Sequence, residues 1–128
     1  MSATQILFYI LIIVLLSFSV RRFLLFRLVQ QYSPAKVAEK LSSGNGVVLL
    51  DVRTAAERGD HFIQGSVRIP LQELRGRLRE LEKYREREII CYCRSGNRSL
   101  SAAAMLRRHG FQSANLQGGI VEWNFSGR

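Results

Sequence analysis

Ile89-Ile90-Cys91-Tyr92-Cys93-Arg94-Ser95-Gly96-Asn97-Arg98, followed by an alanine-rich stretch to Leu106, is the part of the chain whose reading decides the fold. An apolar, β-rich run that gives way at a Gly/Asn-containing turn to a helical pattern is a strand-to-helix unit, the building block of parallel sheets. Cys93 stands at the turn, beyond the carboxyl end of the strand, where open parallel sheets bind ligands. Backbone N–H groups of such a turn can converge on an anion, and the following helix adds its positive dipole end. Arg94 and Arg98 flank the sulfur. Each effect favours thiolate, so the ordinary thiol pKa of about 8.5 is expected to fall toward or below neutrality, with Cys93 as the nucleophile. Turning the amides inward needs left-handed backbone, for which Gly96 and Asn97 are the candidates. Arg94 and Arg98 are expected to bind anionic oxygens of a substrate, and Ser95 and Ser99 to offer hydroxyls to substrate or helix cap.

Working outward, the same alternation repeats. Ser33-Pro34 opens a helix carrying Val37 and Leu41 on one stripe, and Gly44 should end it. Val47-Val48-Leu49-Leu50 reads as a strand buried on both faces, which sets Asp51 at its carboxyl end. A short helix over 55–60 and a short strand over 67–69 follow. Leu71, Leu74, Leu78 and Leu81 then mark one face of an amphipathic helix that Gly76 weakens by up to ~1 kcal/mol. After the strand over 88–92 comes a helix over 97–109 closed by Gly110, and a last strand over 113–116. Strands and helices alternating at these spacings predict an α/β fold with parallel βαβ connections.

Four motifs sharpen that expectation: Asp51-Val52-Arg53-Thr54, Gly65-Ser66-Val67-Arg68-Ile69-Pro70, Cys93-Arg94-Ser95-Gly96-Asn97-Arg98-Ser99 and Gly118-Gly119-Ile120-Val121-Glu122-Trp123. In this order they resemble a rhodanese domain over residues 33 to about 124. The resemblance implies a rhodanese-like parallel sheet flanked by helices, with a Cys93 persulfide that moves sulfane sulfur from a thiosulfate-type donor to cyanide or a thiol, a protein acceptor included. It implies substrate binding by Arg94, Ser95, Gly96, Asn97 and Arg98, structural bracing by Asp51 and Arg53, a core-anchoring Trp123, and no cofactor. The Cys-x4-Arg length is similar to that of sulfur-transferring members; phosphatases of the same fold use a loop one residue longer, which ranks a thiolate phosphatase or arsenate reductase low. A sulfur-carrier or docking module tethered to a membrane is the other reading. Asp60-His61-Phe62-Ile63 departs from the family's Gly-His-Ile, which leaves the role of His61 open.

The chain of 128 residues has room for one domain and an appendage. Residues 6–20 are apolar apart from Ser17 and Ser19, and with their uncharged flank they approach the ~20 residues that span a bilayer. No basic n-region precedes the apolar run, so an uncleaved transmembrane anchor over 1–29 and a rhodanese domain over 30–128 are expected. Arg21, Arg22, Arg27, Lys36 and Lys40 all follow the run, which by the positive-inside rule turns the domain to the cytoplasm. This cluster, suited to an anionic leaflet, accounts for much of the net charge of +9. The other basic residues are spread over Arg68, Arg75, Arg77, Arg79, Lys83, Arg85, Arg87, Arg107 and Arg108, interleaved with glutamates between residues 73 and 88, the pattern of a solvated surface, and no nucleic-acid motif accompanies them. Two cysteines and two histidines make no zinc cluster, so no metal is expected. Cys91 lies two residues from Cys93 on one strand face, too awkward for a disulfide, and reads as a small core residue.

Overall fold

The computed structural model describes residues 1–44 and 46–127, so positions 45 and 128 of the expected domain lie outside the described residues. It begins with α1 (Ala3–Leu28), whose Ser2 and Gln5 form a reciprocal capping box. Then come β1 (Gln30–Tyr32), α2 (Pro34–Ser42), β2 (Val47–Asp51), α3 (Ala55–Arg58), β3 (Val67–Arg68), α4 (Leu71–Leu74), a 3₁₀ segment (Arg75–Tyr84), β4 (Glu88–Tyr92), α5 (Asn97–Arg108), β5 (Gln112–Leu116) and α6 (Gly119–Phe125). The strands form one sheet in the order β1-β5-β4-β2-β3, and every pairing is parallel. Helices cover both faces, as parallel crossovers require.

Side-chain alternation along β4 divides the interior. Ile89, Cys91 and Cys93 join the core beneath α5 and α4, whereas Ile90 and Tyr92 join the opposite core with Val37 of α2 and Ile120 and Trp123 of α6. Both cysteines therefore share a face, as expected. Helix α5 ends in a Schellman motif: Gly110 takes φ +84°, its N–H donates to Arg107, and the Phe111 N–H donates to Leu106.

One expectation needs correction. The leucine stripe over 71–81 does not make one continuous helix: a single α-turn passes into a 3₁₀ segment, with Arg77 at φ −123° and ψ 16°. Leu74 and Leu81 are still fully buried, while Arg77 pairs with Glu73 and Glu80 at the surface. Core contacts thus keep the stripe while the backbone, weakened at Gly76, tightens between them. The 23–32 stretch also resolves into two elements. The helix continues to Leu28, and Gln30, Gln31 and Tyr32 pair with Ala114, Asn115 and Leu116 as an edge strand.

Helix α1 is the one element, among the described residues, long and apolar enough to cross a membrane. None of its side chains is buried. Its last turns nevertheless touch the domain: Leu25 packs on the core, Arg107 of α5 donates to the Leu28 carbonyl at 3.0 Å, and Arg22 donates to the Asn97 side chain at 2.9 Å.

Candidate active site

At the carboxyl end of β4 the chain turns through Arg94, Ser95 and Gly96 into α5, and the Cys93 sulfur sits inside the turn. The Gly96 N–H donates to Cys93 Sγ at 3.1 Å and the Ser99 hydroxyl lies at 3.3 Å from it. Helix α5 has no side-chain N-cap, since its N-cap residue is Gly96. The Cys93 sulfur lies at that end, where the Ser99 amide of the first turn favours its charged form. Burial alone would push the Cys93 thiol up, but the Ser99 hydroxyl and the amides of Ser99, Gly96 and Ser95 outweigh it and hold the thiol below its ordinary range. Cys93 is only 1% exposed, so the turn encloses its sulfur while Arg94 and Ser95 face solvent.

Something must aim those amides. The Ile120 N–H donates to the Cys93 carbonyl at 2.9 Å and the Val121 N–H to the Arg94 carbonyl at 3.2 Å. Because C=O and N–H of a trans peptide point opposite ways, holding the Arg94 carbonyl toward α6 turns the N–H of the same peptide, that of Ser95, toward the sulfur. Gly119, at φ +63°, allows the approach: a Cβ there would collide with the Cys93 and Arg94 carbonyls. Gly96, at φ +98°, makes the left-handed bend. Asn97 does not share it. Asn97 is the first residue of α5, and every positive φ among the described residues belongs to glycine, because one left-handed residue suffices to redirect the turn into a helix.

The arginines separate. Arg98 forms a two-pronged ion pair with Glu57 at 2.7 and 2.6 Å, which pulls the Glu57 carboxyl down to about 2, and its guanidinium stays near enough to the Cys93 sulfur for their charges to interact. Arg94 is exposed, and its guanidinium makes no contact among the described residues. Asn97 offers its amide oxygen to Arg22 of α1.

Asp51 and Arg53 meet beneath the site. Arg53 Nε and Nη2 donate to the two Asp51 oxygens at 3.0 and 2.9 Å, and the same guanidinium reaches the Glu57 and His61 carbonyls. Asp51 also accepts from Arg58 and from the Tyr92 hydroxyl. A fully buried carboxylate is thus matched by donors from β4, α3 and its own strand, which ties the 57–61 loop to the sheet. His61 itself is exposed and lines, with Phe62, Ile63 and Trp123, a groove of about 480 Å³ that no residue of the Cys93 turn lines.

Sequence reasoning overlooked Asn115. Its Oδ1 accepts from Ser99 at 2.6 Å, while its Nδ2 donates to the Gly96 carbonyl at 3.2 Å and to Gln31 at 2.9 Å. One amide therefore positions both the hydroxyl and the glycine that hold the sulfur. A buried Asn at the end of a strand between Ala114 and Leu116 was the available signal, since buried polar side chains are the informative exceptions. Cys91, two residues before Cys93, is fully buried in hydrocarbon, which pushes its thiol far up.

Comparison with known proteins follows the same outline. A Sulfurtransferase of Allochromatium vinosum is 33% identical over 97 residues, 75% of this chain and 89% of that protein. The crystal structure of a rhodanese-related protein from Thermoplasma volcanium superposes with a TM-score of 0.70 at 31% identity, covering 77% of this chain and 93% of that one. A thiosulfate sulfurtransferase from Pseudomonas aeruginosa superposes with a TM-score of 0.72 at 26% identity, over 80% of this chain but 20% of that larger chain. Residues 33–126 match the Rhodanese-like domain profile, a span that holds the whole cysteine turn and the diglycine behind it, and the chain belongs to that family.

Proposed function

We propose that this member of a sulfurtransferase family moves sulfane sulfur through a persulfide on Cys93, at the face of a membrane to which α1 anchors it. The observation that carries the reading is the convergence of amide and hydroxyl donors on one enclosed sulfur. The Cys93 thiolate attacks the outer sulfur of a thiosulfate-type donor. A sulfur–sulfur bond to Cys93 forms, the bond to the sulfonate sulfur breaks, and sulfite leaves with the electron pair. Cyanide or a thiolate, free or on a protein, then attacks the outer sulfur, which departs as thiocyanate or a new persulfide and returns the Cys93 thiolate. The donors that stabilised the thiolate remain in place for the persulfide, so neither step requires the site to reorganise. Because the Cys93 sulfur is buried, it is the added sulfur that reaches the mouth, where exposed Arg94 can draw an anionic donor.

Helix α1 supports the anchor. Its 26 residues extend about 39 Å, enough for a hydrocarbon core of about 30 Å plus an interfacial turn. Apart from Leu25, which packs on the domain, its large apolar side chains are exposed, and only lipid or a protein partner would cover them. Arg21, Arg22 and Arg27 on the domain side orient that domain to the cytoplasm.

The test is chemical. Protein treated with thiosulfate should gain the mass of one sulfur on Cys93 and convert cyanide to thiocyanate, and Cys93→Ser should do neither. Hydrolysis of an aryl phosphate with no sulfur uptake would replace this reading with a phosphatase.

A further inference from the structure

Between α1 and α5 lies a cavity of about 160 Å³, separate from the Cys93 turn. At roughly 30 Å³ per water molecule it holds about five waters, space enough for a tetrahedral oxyanion. Helix α1 contributes Phe18, Arg21, Arg22 and Leu25, a single face by their spacing, and α5 contributes Ser101 and Arg108. Neither helix contains an acidic residue. The other cations of this junction are engaged, Arg98 by Glu57 and Arg107 by the Leu28 carbonyl. Arg22 is held by Asn97, but Arg21 and Arg108 have no counter-charge among the described residues. Arg21, Arg22 and Arg108 thus line the cavity beside a hydroxyl, with no carboxylate on either helix to balance them, an arrangement suited to phosphate.

We infer that this cavity binds the phosphate of an anionic phospholipid. Its height on α1 identifies lipid as the source: Phe18 belongs to the apolar run, and Arg21 and Arg22 begin immediately after it, at the level where headgroup phosphates lie. Phe18 and Leu25 flank the site with apolar surface for the upper acyl chain. The inference rests on the proposed membrane reading of α1 and is independent of the sulfur chemistry.

Full-length protein, extracted and examined by native mass spectrometry, should retain phosphatidylglycerol in preference to phosphatidylcholine of the same acyl chains. Arg108→Gln lies outside the inserted segment and leaves the α1 charges intact. It should lower phosphatidylglycerol retention about fivefold, the factor equivalent to about 1 kcal/mol per juxtamembrane cation. Ser101→Leu, which fills the cavity without altering charge, should also lower it. Both variants should still take up one sulfur on Cys93, which reports an intact domain. Equal retention of the two lipids, undiminished retention in both variants, or displacement of the lipid by equimolar inorganic phosphate would overturn the inference. Release of the wild type from membranes by alkaline carbonate would overturn the anchor itself, a failure distinct from an integral protein with no headgroup preference.

Discussion

Cys91 and Cys93 are two residues apart, point to the same side of one sheet and are both nearly inaccessible to solvent, yet their thiols are driven in opposite directions. Cys91 is surrounded by hydrocarbon and neighbouring strands. Its strand amides pair with β2 and β5, so burial pushes its thiol up, and the charge on Cys93 adds to the push. Cys93 lies just past the last ladder pair, where the amides no longer have strands to meet and turn back on the side chain instead. Depth of burial therefore does not decide the reactivity of a cysteine here. What decides it is whether the local backbone donors have other acceptors.

The largest way to break this contrast is to exchange the roles. Cys93→Ser should abolish sulfur uptake completely, whereas Cys91→Ala should retain it at a cost of about 1 kcal/mol in stability, read by denaturant unfolding and intact mass. Uptake by Cys91 in the Cys93→Ser protein would show that the turn is not needed. Next in size, Gly119→Ala forces a methyl group against the Cys93 and Arg94 carbonyls and strains a left-handed position. We expect a loss of about 2–3 kcal/mol in stability, and a larger fractional loss of thiol reactivity as the amides swing off the sulfur. A Gly119→Ala protein alkylated at the wild-type rate would mean that α6 does not aim the turn.

Ser99→Ala removes one donor and leaves the fold's backbone intact. The rate of iodoacetamide alkylation near neutral pH should fall about tenfold, the equivalent of one hydrogen bond to a charged group of about 1.5 kcal/mol. Asn115→Ala removes the acceptor that competes with the sulfur for the single Ser99 proton, so it should slow alkylation less than Ser99→Ala does, and an unchanged rate in Ser99→Ala would limit the cradle to the backbone.

The smallest effect is in the pH dependence of stability. The Cys93 pKa is depressed in the folded state, so its contribution is present above the unfolded thiol value of about 8.5 and is lost as pH falls through the lower folded value. The Cys91 pKa is raised, so its contribution is present below about 8.5 and is lost as pH rises beyond it. Urea titrations from pH 6 to 10 should accordingly show Cys93→Ala losing the rise that wild type gains on approaching the thiol range, and Cys91→Ala losing the decline above it. Parallel curves for the two variants would remove the distinction between the sulfurs.

Much of the site was legible from local pattern. The apolar run into Cys93, the glycine after it and the arginine-closed helix all follow from nearest-neighbour geometry, and the residues involved are contiguous. Asp51 and Arg53 were legible for the same reason, a carboxylate and a guanidinium two residues apart at a strand's end. The parts that escaped are those in which the partner is far along the chain. Glu57 pairs with Arg98 across 41 positions, Arg22 takes up Asn97 across 75, and Asn115 reaches Gln31 across 84. The edge strand β1 belongs with them, since Gln30-Gln31-Tyr32 carries little strand signal until β5 supplies a ladder. The break between α4 and the 3₁₀ segment was hidden for a different reason: leucine spacing reports which face is buried, and both helix types can bury the same leucines.

By itself the sequence determined the alternation of strands and helices, the sharing of one face by the two cysteines, the glycine that bends the turn and the apolar length of α1. Those features depend on backbone periodicity and on what glycine alone can adopt, both of which are local. Only the tertiary structure decided which arginine pairs with a carboxylate, which distant amide meets Ser99, why Gly119 must stand behind the turn, and how α1 meets α5 to bring Arg21, Arg22 and Arg108 to the lining of one cavity. These are contacts between elements, set by packing of the sheet and its helices, and a polar side chain commits to a partner only once folding has brought that partner within hydrogen-bonding reach.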